Sequence, residues 1–563
     1  MLTGKLRWLP LAFCLLSLTA QAQESRLEPG QTVEREIRGG ESHIYQIQLA
    51  AGQFARLRLE QRAIDAALIL TAPDGKQMVE MNLTRVGEED SFSLEVAAAG
   101  SYQLTVRGNG GAALRGSYRL DATVQATATA QDGKRLTAEA LMVEASELRK
   151  QRGKTEQQVI EKLQQALSLW RELKEPTWIA YSLYYIGYAY DDLSQSEKAI
   201  EYCEQALAIS REFKLRGREG IALNTLGVIY NSVSQYEKAI KYFEQALFIR
   251  REIKDRVGEG NTLVSLGAAY GWMSRYEKAI EYFEQALTIS REVKDRVREG
   301  YALNNLSVAH NSMGRYEKAI EYCEQALAIS REVKDRDGEG DMLNNLCVAH
   351  NSVSQHGKAI EYCEQALFIR REIKDRMGEG HTLNNLGAAY RSLGRYEKAI
   401  KYFEQALFIR REIKDRAGEG ATLISSGSAY RSLGQYEKAI EYYEQALEIA
   451  REVKNLEHEL FALSNLARTE SERGQLALAR SRSEESLRVA ESLRTDLVSA
   501  ESRAAFLASV QSSYQLYTDL LMQQHRAEPT KGLDALAVEV SERQRARSLL
   551  DLLTEARADL RQG

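Results

Sequence analysis

Tyr396-Glu-Lys-Ala-Ile-Lys-Tyr-Phe-Glu-Gln-Ala-Leu407 is the stretch on which the reading of this chain turns. Near-copies begin at Ser196, Tyr236, Tyr276, Tyr316, His356 and Tyr436, all in one forty-residue register. A fixed period with a repeated apolar pattern marks a repeat architecture. Within the unit Gly380 to Arg416, Leu383, Leu386, Gly387, Tyr390 and Leu393 fall at i, i+3, i+4, i+7 and i+10, one apolar stripe on an α-helix. Gly394 then tolerates the positive φ that ends a helix. A second stripe runs through Tyr396, Ala399, Ile400, Phe403, Ala406, Leu407 and Ile413. Each unit predicts two antiparallel helices joined by a tight turn.

Small side chains mark where helices must approach. Gly387 is expected to face Ala399, and Ala406 to meet the first helix of the next unit. Alanine recurs every forty residues from Ala199 to Ala439 and from Ala206 to Ala446, and the glycine slot reads Gly187, Gly227, Gly267, Ser307, Cys347, Gly387 and Gly427. Leu383-x2-Leu-Gly-x2-Tyr390 followed by Ala399-x3-Phe403 resembles the tetratricopeptide-repeat (TPR) signature. That resemblance implies a mainly α fold, a right-handed α-solenoid of helix pairs. The period is forty rather than thirty-four, and no proline occurs between Pro176 and Pro529, so the helices run on for about 1.7 further turns per unit. Such long repeats are similar to those of kinesin light chain and the Pins-type adaptors, which implies an extended peptide as ligand.

Net charge is −5 with 28% charged residues, which gives no nucleic-acid footprint. Charges are interleaved, as in Glu397-Lys398 and Arg410-Arg411-Glu412, and read as solvated helix faces. Residues 1–22 read as an export signal: Lys5 and Arg7, the apolar run Trp8 to Leu18, then Ala20-Gln-Ala22 for cleavage. The run is too short to span a bilayer, so a periplasmic or extracellular protein with no membrane span after processing is expected. Cys203, Cys323 and Cys363 take the slot of Phe243, Phe283 and Phe403, and Cys347 takes the glycine slot. They read as buried small hydrophobes. Equivalent positions in successive repeats lie about 10 Å apart by helix-packing distances, beyond disulfide reach.

Residues 25–125 alternate instead, as in Thr32-Val-Glu-Arg-Glu-Ile-Arg38 and His43-Ile-Tyr-Gln-Ile-Gln-Leu49, with turns at Gly39-Gly40, Pro73-Asp-Gly75 and Gly108 to Gly111. This predicts a small all-β sandwich ahead of the helices. Asp65 to Gly75, Gly100 to Val106 and Gly116 to Leu120 resemble the bacterial pre-peptidase C-terminal domain, an accessory module of exported enzymes. Asp65 and Asp74 are either calcium ligands or turn acids. Residues 126–135 read as a polar linker and 136–494 as the array of about nine helix pairs, with degenerate first and last units as caps. In 495–563, Tyr514 to Leu521 and Ser541 to Leu553 are similar to the segment that joins TPR arrays to the caspase-like CHAT protease domain. No protease strand or His/Cys pair follows within the chain.

In a two-helix solenoid the first helices line the concave face. Asn224, Asn304, Asn344 and Asn384 each follow a stripe leucine, and Asn231, Asn311, Asn351, Arg391 and Arg431 lie four residues past the glycine slot. Asparagine donates and accepts at once, so such a row suits peptide main chain; the adaptor resemblance implies the same role for Asn224, Asn304, Asn344 and Asn384. These asparagines equally suit solvent or neighbouring helices. Arg391 and Arg431 suit an acidic side chain or a terminal carboxylate. Tyr181, Tyr188 and Trp272 are either ligand anchors or packing residues. His310 and His350 replace Tyr230, Tyr270 and Tyr390, which makes them packing positions rather than metal ligands. Gly258-Glu-Gly260 and its copies read as inter-repeat turns.

The expected function is that of an exported, non-enzymatic scaffold, without cofactor or metal, that binds a peptide or protein segment in its groove. Two alternatives stand beside it. One is the sensing part of a CHAT-type cysteine protease, with such a protease domain as partner; the other is a surface or glycan-binding protein acting through the β-domain.

Overall fold

The computed structural model describes residues 25–82, 86–150, 155–496, 500–543 and 545. The export-signal reading and most of Ser541 to Leu553 lie outside them. The described residues form two compact units, 1–229 with 245–256 and 230–244 with 257–563.

The first unit opens with the strand-rich domain. Its strands are β1 (Ser25–Arg26), β2 (Thr32–Arg38), β3 (Ser42–Leu49), β4 (Phe54–Arg62), β5 (Ala66–Thr71), β6 (Gln77–Met81), β7 (Glu89–Glu95), β8 (Gly100–Gly108) and β9 (Arg115–Gln125). They form two sheets, β1-β3-β8-β5-β6 and β2-β9-β4-β7, antiparallel except for β1 with β3. Alternation sends Ile37, Tyr45, Ile47, Leu57, Leu59, Leu104 and Leu120 into one core. The Asp74 carboxylate accepts from the Lys76 amide at 3.0 Å, the work of a turn acid.

The helices of this unit begin with α1 (Ala130–Lys150), α2 (Glu156–Leu173), α3 (Pro176–Asp192) and α4 (Ser196–Glu212). Helix α1 starts inside the stretch read as a linker. The Thr129 hydroxyl and amide both bond the Asp132 carboxylate, at 2.6 and 2.9 Å, a reciprocal cap that the polar composition hid.

Helix α1 also meets β7, an edge strand of the four-stranded sheet. The buried Glu139 carboxylate accepts from the amide and hydroxyl of Ser93 on β7, at 2.8 and 3.1 Å. Burial drives its pKa up to about 7, although those hydrogen bonds act against the shift. Nearby, Arg56 and Arg135 converge on Glu175, and Arg218 pairs with Glu88 at 3.0 Å with both side chains 3% exposed.

Helices α5 (Arg216–Ser232), α6 (Tyr236–Glu252), α7 (Arg256–Trp272), α8 (Tyr276–Glu292), α9 (Arg296–Ser312), α10 (Tyr316–Val333), α11 (Arg336–Ser352), α12 (His356–Glu372), α13 (Arg376–Ser392), α14 (Tyr396–Glu412), α15 (Arg416–Ser432), α16 (Tyr436–Glu452), α17 (Leu456–Glu472) and α18 (Leu476–Asp496) complete the run of pairs, a TPR-type solenoid. First helices end in left-handed residues such as Gly394, with φ 74°; second helices end in left-handed lysines such as Lys374, with φ 59°. Asp335, Asp375 and Asp415 then cap the next first helix through the amides of Gly338, Gly378 and Gly418, at 2.9–3.0 Å. The Gly258-Glu-Gly260 motif lies inside the first turn of α7 rather than in the turn before it.

Three expectations are corrected. A Cβ on Gly387 would meet the Phe403 ring at 2.6 Å, so the glycine slot faces the aromatic sixteen residues on rather than Ala399. For the same reason Cys347 and Cys363, in those two slots of one repeat, form a disulfide with Cα atoms 5.3 Å apart. Helix-packing distances exclude a disulfide between successive repeats but not across one hairpin. The charges are also not all solvated. Glu379 joins Arg371 at 2.7 Å and Arg376 at 2.5 Å, and Arg376 continues to Glu412. Glu299, Glu339 and Glu419 repeat this chain with their own arginines, and Arg410 is 3% exposed.

Helix α19 (Ala500–Ala527) packs on α18 through Val510, Tyr514, Tyr517 and Leu521, with Leu533, Ala537 and Val540 of the helical residues 533–543. No described helix is long and apolar enough to cross a membrane.

Candidate functional site

First helices are covered on most sides and keep only a narrow open stripe. On α13, beyond the open N-terminal residues Arg376, Met377 and Gly378, it comprises His381, Asn384, Asn385, Ala388, Arg391 and Ser392. Leu383, Leu386 and Tyr390 point the other way, into the core. Asn224, Asn231, Asn304, Asn311, Asn344, Asn351, Asn384, Arg391 and Arg431 are all half-buried, at the border between helix packing and open surface.

Their hydrogen bonds differ. The Asn345 side-chain amide donates to Asn304 Oδ1 at 2.8 Å, and that of Asn385 to Asn344 Oδ1 at 3.0 Å. Asparagines on successive first helices are thus linked to one another. Asn384 Oδ1 is the open end of this chain: residue 425 is serine, whose hydroxyl turns back to the Ala421 carbonyl, and Asn384 Oδ1 is buried with no partner. Asn224, Asn231 and Asn311 have buried, unpartnered Oδ1 atoms as well. Unsatisfied buried acceptors are few in folded proteins and call for a reason. Asn351 is different, because its Oδ1 lies 2.8 Å from His356 Nδ1. Arg431 Nη1 stands 3.7 Å from Glu472.

Asn345 and Asn385 were missed by the register reading. The doublets Asn304-Asn305, Asn344-Asn345 and Asn384-Asn385 were the available signal.

Of the aromatic candidates, Tyr181 is packing: it is 3% exposed, lies edge-on to Trp178 and carries the Arg218 guanidinium 4.7 Å over its ring. Tyr188 and Trp272 are exposed, at 38% and 67%. His310 and His350 stack on Tyr322 and Tyr362, with ring centres 5.4 and 5.2 Å apart, as Tyr390 stacks on Tyr402. Burial, with Lys318 and Arg315 nearby, lowers the His310 pKa. The free thiols of Cys203 and Cys323 are buried and pushed up to about 12, far from nucleophilic use at neutral pH. Among the described residues no three His, Cys, Asp or Glu side chains gather as a metal site.

A tetratricopeptide-repeat family model matches residues 218–292, 258–332, 298–346, 338–412 and 419–492, and a second one matches 180–213, together more than half of the chain. No curated protein sequence matches. Among solved structures, the chain is similar to the apo form of the quorum sensor NprR from B. thuringiensis, with 15% identity, coverage of 56% of this chain and 88% of that one, and a TM-score of 0.47. It is similar to apo RapI with 18% identity, 49% and 98% coverage and a TM-score of 0.43. A Podosopora anserina putative kinesin light chain with nearly identical TPR-like repeats gives 21% identity, 35% and 96% coverage and a TM-score of 0.30. With the repeat signature, the paired helices and the matching family models in agreement, the chain belongs to the tetratricopeptide-repeat proteins.

Proposed function

We propose that this protein is an exported TPR scaffold that binds an extended peptide or protein segment along the open stripe of its first helices. The observation that carries the reading is the asparagine row. Its members are half-buried, some are linked to one another, and Asn384 ends the series with an acceptor that no described residue satisfies. A peptide N–H is the group that such an acceptor takes. Arg391 and Arg431 favour an acidic side chain or terminal carboxylate toward the C-terminal repeats. Export is supported by the pattern of residues 1–22 and by the Cys347–Cys363 disulfide, which an oxidising compartment preserves.

The test uses the full chain and a random peptide library. Asn304, Asn344 and Asn384 changed together to alanine should weaken the selected peptides at least about tenfold, since each lost bond contributes about 0.5–1.5 kcal/mol. Undiminished binding would remove this face from the account.

A second reading is compatible with the first. The Tyr514 to Leu521 resemblance supports a sensing part for a CHAT-type protease, and those residues pack on the last repeat, where Tyr514 and Tyr517 bond Glu491 and Glu484. A His…Cys caspase-like sequence downstream or in a neighbouring reading frame would support it; unrelated sequence there would count against it.

A further inference from the structure

At three junctions of the array the space beside a first helix is filled by an arginine. Arg370 lies against Gly340 and Gly378, Arg410 against Gly380 and Gly418, and Arg250 against Gly220. These arginines are 3–6% exposed. Carboxylates hold them: Arg370 meets Asp375 at 3.0 Å, Asp337 at 2.6 Å and also Asp341, and Arg410 meets Asp415.

Residue 290, in the same register, is serine. A Cβ on Gly260 would meet only Ile289, at 3.4 Å, where those on Gly220, Gly340 and Gly380 meet a guanidinium. The room stays open as a cavity of about 180 Å³ among α7, α8 and α9. At Ser330, one repeat on, the register instead brings Tyr301 to the place of Asn261.

The lining says what this cavity takes. The positions of Asp337 and Asp341 are here Val257 and Asn261. The remaining acid, Asp295, is neutralised by Arg298, which stands where Gly378 and Gly418 stand in their repeats and is fixed by Asn261 at 2.8 Å. No carboxylate is left to receive a cation. Val257, Val264, Ile289 and Val293 make the walls apolar. Val264 also replaces the row asparagine in this repeat, so the polar row is interrupted where the cavity opens. Apolar cavities of about 150 Å³ hold a benzene ring.

We propose that this cavity is the apolar subsite of the ligand face, receiving one branched aliphatic or phenyl side chain of the bound peptide. It rests on the peptide-binding reading above and adds the chemistry of one ligand residue. The side chain enters past Tyr301 and Asn261 and is buried against the valines, while its flanking main chain continues to Asn304.

The repeats themselves supply the test variant. Ser290→Arg with Arg298→Gly reproduces the arginine–glycine pair of the Arg410–Gly418 junction and closes the cavity, with Asp295 released to hold the new guanidinium. Val264→Asn is the second variant and restores only the row residue. Two probes are used on the full chain, benzene and a random dodecapeptide library. Benzene should raise the melting temperature of the parent protein and not that of the double variant; an equal shift in both, or none in either, overturns the subsite. Selected peptides should share an apolar residue at one position, and should bind the double variant about tenfold or more weakly. If the double variant melts early, Val264→Asn alone makes the comparison: its amide in the apolar wall should abolish the benzene shift. Peptides that bind with no apolar preference, or bind the double variant equally well, overturn the subsite while leaving the asparagine face standing. Failure to select any peptide overturns both.

Discussion

Glu379 lies in the first turn of α13 and touches Arg371 before it and Arg376 beside it, with its own side chain 7% exposed. Its counterpart Glu339 shows the balance of forces. Burial alone would raise that carboxyl, but hydrogen bonds from Arg331 and Arg336 outweigh it and hold the pKa below the ordinary value. A depressed carboxylate gives stability that is present above its unfolded pKa and lost as pH falls through the folded one. The junction at Glu339 should therefore loosen in acid, below the ordinary glutamate range. Glu379→Ala should destabilise α13 and its neighbours by about 1–3 kcal/mol by leaving two arginines without their shared partner; hydrogen exchange across 371–392 reads it. In the sequence these charges looked solvated because Arg371 and Glu379 belong to different helices. A turn separates them, and helical periodicity does not look across a turn.

At the scale of the element, the hairpin was legible and its exceptions were not. Leu383, Leu386 and Tyr390 fixed the first helix, and Tyr396 to Leu407 fixed the second, because a 3.6-residue period leaves few alternatives. The partner of each slot was harder. Gly387 opposes Phe403 across the hairpin, so the cysteines at the same two places in the preceding repeat meet. Their disulfide closes a loop with a sequence separation of 16, and replacing both cysteines with serine should cost about 3 kcal/mol of local stability. Exchange rates in α11 and α12, with and without reductant, measure this: the parent should respond to reduction and the double variant should not. Seven asparagines of this face were likewise readable in register, while Asn345 and Asn385 joined them only once adjacent first helices were in place.

At the scale of the molecule, two carboxyls pull the pH response in opposite directions. Glu139 is raised from 4.5 to about 7, so the stability it contributes to the docking of α1 on β7 is full below pH 4.5 and is lost as pH rises through 7. That amounts to at most about 3 kcal/mol at 1.36 kcal/mol per unit. Glu139→Gln should flatten this dependence, seen as exchange protection of residues 89–95 and 130–150 that no longer falls between pH 5 and 8. The alternation of 32–59 foretold the strands, but nothing local foretold that Ser93 would meet a helical carboxylate 46 residues on. The proposed function rests on a face that the packing leaves partly open and, among the described residues, partly unsatisfied. The most direct measurement places a benzophenone photocrosslinker at Asn344, on that face, or at Phe408, 69% exposed on a second helix, and illuminates each protein with a library-selected peptide. Crosslinking at residue 344 with little at 408 is the predicted result; crosslinking at 408 with none at 344 would contradict the account.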